Sequence, residues 1–81
     1  MFAYLYRPHG IVMAEFRNDL NKYLNKYGGR TFIVEDDFGK KVFMFGISSV
    51  NGGGDCQRFK SKDAIIEEIQ KEFPGYSIVE A

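Results

Sequence analysis

Tryptophan is absent from this chain, and histidine and cysteine occur once each, as His9 and Cys56. A lone cysteine excludes an internal disulfide framework and fits a reducing compartment, so a cytoplasmic setting is expected. One histidine and one cysteine also exclude a metal centre built on His or Cys spacing. Excess charge of either sign is missing, because 11 Lys and Arg stand against 11 Asp and Glu. Dedicated nucleic-acid binders draw affinity from neutralised phosphates and carry a basic excess or stripe, which neither half of this chain does. The same balance excludes an acidic nucleic-acid mimic. No apolar run approaches the ~18 residues of a membrane span, and Met1 does not open a basic-then-apolar leader, so no membrane partner is expected.

What the chain does have is 8 Phe and 5 Tyr in 81 residues, with 44% hydrophobic content. That is too apolar for a disordered chain. The length suits one domain spanning residues 1–81.

Met1–Tyr6 is short and aromatic and runs into Arg7-Pro8-His9-Gly10, which predicts a strand. From Ile11 to Tyr27 apolar residues recur at helical spacing, through Phe16, Leu20, Tyr23 and Leu24. Gly28-Gly29 supplies the left-handed residue that ends such a helix. An alternative keeps Ile11–Phe16 as a second strand of a hairpin, with Asn18 capping a shorter helix, but the unbroken stripe favours the long one. Thr31–Glu35 and Lys41–Val50 read as strands around the turn chemistry of Asp36-Asp37-Phe38-Gly39. Gly46 leaves a bare spot where another group can approach closely. Asn51–Asp55 reads as a glycine hairpin loop, and Cys56–Lys60 as a short edge strand paired back onto the strand before it. Ser61 is a good N-cap for a helix that buries Ile65, Ile66, Ile69 and Phe73, until Pro74-Gly75 stops it. Tyr76–Glu80 forms the last strand.

The resulting order is β-α-β-β-(short β)-α-β. Without the short strand it is the split βαβ pattern of ferredoxin-like α+β sandwiches, an antiparallel sheet with two helices on one face. Two helices cover only one side of a sheet, yet Phe43 and Phe45 alternate with Val42 and Met44 on a strand that is apolar on both sides. One side should then lie open, and an exposed apolar patch marks an interaction surface. The expected contact residues are Val42, Phe43, Met44 and Phe45, with Gly53 of the glycine loop and Arg58 and Lys60 beside it. The expected partner is another protein or a second copy, as a homodimer.

Competing chemistries are weaker. RNA-recognition folds share this element order, and Arg58, Lys60 and Lys62 form the nearest thing to a basic patch, so single-stranded nucleic acid is the alternative partner. The basic-Gly-aromatic signature of those folds is missing, however, and a charged edge strand explains the patch equally. Gly52-Gly53-Gly54 lacks the Lys and hydroxyl offsets of a phosphate cradle. Glu35-Asp36-Asp37 lacks the alternating pattern of a calcium loop and reads as a solvated turn. A Cys56–His9 nucleophile pair has no supporting motif. The residues therefore point to a non-enzymatic binding or regulatory protein, of the inhibitor or adaptor type found in bacteria and phages, with no catalytic residue, metal or cofactor.

Overall fold

The computed structural model describes residues 2–7, 22, 24–51 and 56–81. The choice of helix or strand for 11–16, His9 and Gly53 lie outside the described residues.

Five strands form one antiparallel sheet: β1 (Ala3–Tyr6), β2 (Arg30–Glu35), β3 (Lys41–Ser48), β4 (Cys56–Phe59) and β5 (Ser77–Glu80). Two helical segments accompany it, one over Lys62–Glu72 and an earlier one described at residues 22 and 24–26. The chain is thus a small α+β protein. Each strand begins and ends within about two residues of the sequence reading, since turn residues set those limits.

The pairing departs from the expected pattern in two places. The strand order is β4-β1-β3-β2-β5. The last strand therefore sits on the outer side of β2, with Ile33 opposite Val79, at the edge away from β1. The short strand β4 pairs with β1, Tyr4 opposite Arg58, and not with β3. β3 and β4 are both antiparallel to β1, so they run in the same direction and flank it.

The helices also part company. Along β3, Phe45 and Ile47 face a cluster with Leu5, Phe32, Val34, Ile65 and Ile69, which is the side covered by helix Lys62–Glu72. Met44 points the other way and packs with Tyr6, Ile33 and Leu24. Leu24 belongs to the earlier helical segment, so the two segments lie on opposite faces and not on one. That reduces the shortage of cover argued from the sequence: each face carries its own helical segment, although Val79 at the edge of the Met44 face stays 39% exposed.

Local chemistry explains each lid. The earlier segment ends in a six-to-one hydrogen bond from the Gly29 amide to the Leu24 carbonyl at 2.7 Å, with Gly28 at φ 67°. Only a residue without a Cβ adopts that conformation cheaply. The turn drops Leu24 onto the sheet at Gly46, where an added Cβ would lie 2.5 Å from a Leu24 methyl. The bare spot on β3 is therefore a seat for Leu24. On the other face, Ser61 caps helix Lys62–Glu72 by accepting from the Ala64 amide at 3.2 Å. Arg7, at the end of β1, clamps the far end of that helix by donating to both carboxylate oxygens of Glu72, at 2.7 and 2.6 Å. Those hydrogen bonds hold the Glu72 carboxyl below its ordinary range against an opposing push from burial. They also raise Arg7, again with burial opposing and the charges of Glu72 and Glu68 assisting.

Candidate interaction surface

Of the residues expected to contact a partner, the strand pair at the centre is out of reach. Phe45 is 0% exposed and Met44 is 2% exposed. Val42 and Phe43 are half-buried against the first cluster. Arg58 and Lys60 are exposed on and after β4. The structure does not bring Arg58 and Lys60 together with Met44 into one open apolar face. Cys56 is half-buried, and its thiol donates to the Asn51 side chain at 3.3 Å.

Apolar surface is instead exposed at the ends of the sheet. Phe38 is 95% exposed at the tip of the β2–β3 hairpin. The tip is tightly tied. One carboxylate oxygen of Asp36 accepts from the amides of Phe38 and Lys40, at 2.9 and 2.8 Å. The Asp36 amide donates to the Lys40 carbonyl, and the Gly39 amide donates to the Asp36 carbonyl, both at 3.0 Å. Gly39 takes a φ of 76°, which lets the chain turn back. A ring on so fixed a turn loses little freedom on docking, which is what makes an aromatic anchor effective.

Beside it, Pro74, Gly75 and Tyr76 close a cleft of about 300 Å³ with Asp36, Asp37 and Phe38. A file of rings joins this cleft to the core. Phe32 stacks on Phe45 at 5.5 Å between centroids, Phe45 on Phe43 at 6.3 Å, and Phe43 on Phe73 at 5.1 Å. Phe73 then meets Tyr76 edge-on at 6.0 Å. Phe43, expected as a contact residue, thus supports the exposed ring of Tyr76 from behind.

The opposite end of the sheet is hollow and basic. Phe2, Ala3 and Ile47 form apolar walls of a cavity of about 300 Å³, completed by Gly28, Ser48, Ser49 and Ser61 and flanked by Arg30 and Lys62. Lys62 lies 5.0 Å over the Phe32 ring, and Arg58 lies 4.6 Å over the ring of Phe2. Glu80 approaches Arg30 at 3.9 Å, a long contact between two well-exposed side chains. The three residues of the expected basic patch thus divide: Lys62 borders the cavity, Arg58 covers its Phe2 wall, and Lys60 is exposed and does not line it, while Arg30 joins from β2, far away in sequence.

Phe38, Tyr76 and Arg30 were not among the expected contact residues. For Phe38 the signal is present in the sequence. A phenylalanine within Asp-Asp-Phe-Gly sits in a turn, and a turn has no interior in which to hide a large ring. Arg30 carries no such signal, because its neighbours at the cavity come from other strands. Among the described residues, no group of three or more His, Cys, Asp or Glu is placed to hold a metal ion, and no helix is long and apolar enough to cross a membrane. No protein-family model, curated protein or solved structure matches this chain.

Proposed function

We propose that this chain is a non-enzymatic protein-binding domain, regulatory in character, that grips its partner by the β2–β3 hairpin tip. The carrying observation is Phe38, 95% exposed on a turn held by the Asp36 carboxylate. A large ring fixed in solvent contributes nothing to the fold, and its cost in solubility is offset where a partner covers it. The tip thereby takes the role that the sequence reading assigned to the sheet face, with Phe43 and its neighbours as the support behind it. The partner is another protein, a second copy included, in a cytoplasmic setting. We read the sheet as a variant of the ferredoxin-like pattern with its closing strand moved to the far edge.

The test uses the intact chain as bait. Phe38→Asp should abolish partner capture and self-association alike while leaving the thermal midpoint within about 2 °C of the parent, as befits an exposed site. Capture and molar mass that are identical for parent and variant would refute the reading.

A second reading keeps single-stranded nucleic acid as partner, favoured by Arg58 stacked on Phe2 with Lys60 exposed nearby. It requires oligonucleotide affinity that falls steeply with salt and is lost on Arg58→Glu. A flat anisotropy titration at low salt would dispose of it.

A further inference from the structure

Resting on the hairpin-tip reading, we propose that Phe38 of one copy seats in the basic cavity at the far end of a second copy, so that the chain associates head to tail. The two surfaces are compatible in size and opposite in net charge. The tip presents an apolar ring directly after Asp36 and Asp37, and the turn carries a net negative charge, Glu35, Asp36 and Asp37 against Lys40 and Lys41. The cavity has apolar walls from Phe2 and Ile47, with the cations Arg30 and Lys62 at its border and Glu80 in only a long 3.9 Å contact with Arg30. Its volume of about 300 Å³ exceeds the ~150 Å³ that suffices to enclose benzene in a protein interior.

The two ends cannot meet within one molecule. Arg30 opens β2 at the cavity, and Glu35 closes it at the tip. Six strand residues span roughly 20 Å. Contact between the two therefore requires a second copy. The chain carries no net charge, so copies have no overall repulsion to overcome. Joining unlike surfaces is a heterologous contact, which propagates into rings or open chains and does not stop at a two-fold dimer. The interface is small, so the association is reversible and weak.

The experiment follows from that asymmetry. Each of two variants loses one end: Phe38→Ala lacks the ring, and Arg30→Glu/Lys62→Glu lacks the cationic border. Ser49→Trp, which fills the cavity from an exposed position, replaces the double variant if that one fails to fold. Sedimentation equilibrium is run from about 10 µM to about 1 mM, the range suited to an interface below standard size. The parent should rise in mean molar mass well above the 9.3 kDa of one chain. Each variant alone should stay at one chain. Their equimolar mixture should stop at two, because one intact tip meets one intact cavity. A parent that stays at one chain, a variant that associates as the parent does, or a mixture that fails to pair would each overturn the proposal. If the parent stays single while Phe38→Asp still abolishes capture of a different protein, the occupant is wrong and the tip reading stands. If capture ignores Phe38, the tip reading falls as well.

Discussion

Phe38 and Phe45 belong to one hairpin, yet the first is 95% exposed and the second is fully buried. The difference lies in what each end or face of the sheet has to cover it. On the three inner strands the buried apolar side chains meet a lid, Ile65 and Ile69 on one side and Leu24 on the other, while Val79 on the edge strand β5 stays 39% exposed. Among the described residues no lid covers Phe38 at one end or the cavity at the other. Asp36 and Asp37 precede the protruding ring and Lys40 and Lys41 follow it, whereas Arg30 and Lys62 border the hollow at the opposite end. Burial is thus concentrated in the middle of the sheet, the proposed recognition lies at its ends, and substitutions should separate the two.

The largest effect belongs to Phe45→Ala, which empties the centre of the ring file. It should cost about 3–5 kcal/mol and bring a domain this small close to unfolding in chemical denaturation. Leu24→Ala, on the other face, should cost about 2–4 kcal/mol. Gly46→Val attacks the same contact from beneath, because its side chain would claim the space of the Leu24 methyls. A cost of about 1–3 kcal/mol is expected, as for other overpacked sites. If Gly46→Val is neutral, Leu24 is not seated on the sheet and that face is open.

A smaller effect comes from the clamp between β1 and the C-terminal helix. Arg7 holds the Glu72 carboxyl below its ordinary range, so the folded state binds that proton less readily than the unfolded chain does. The stabilisation is therefore complete above the unfolded carboxylate value of about 4.3 and is lost as pH falls through the lower folded value. The pair is partly exposed, so Arg7→Ala should cost only about 0.5–1 kcal/mol at neutral pH. Thermal melts across the acid range should show the parent–variant gap closing below about pH 4. Smallest of all is the stability change for Phe38→Ala, expected within about 0.5 kcal/mol, although that substitution should remove binding.

Much of the fold is legible in one dimension. The Ser61 cap, the Gly28-Gly29 helix end and the place of each described strand follow from residues acting on their immediate neighbours. The close approach at Gly46 was legible too, though not the identity of Leu24 as its guest. Two kinds of fact were not local. Alternation along β3 says that Met44 and Phe45 face opposite ways, but not which helix covers which. Pairing of β5 with β2, and of β4 with β1, is decided by contacts distant in sequence. The basic hollow escaped for the same reason, since Arg30 and Lys62 belong to different elements that fold to one end. Counting charge over halves of the sequence cannot show that Arg30 and Lys62 meet at one cavity.

Backbone amide shifts of the isotopically labelled chain, followed by NMR as concentration rises, test the division most directly. Movement should concentrate at Asp37, Phe38 and Gly39 at one end and at Ser49, Ser61 and Lys62 at the other, while Met44 and Phe45 stay fixed. Shifts centred on Met44 and Phe45, with the two ends silent, would contradict it and return recognition to the sheet face.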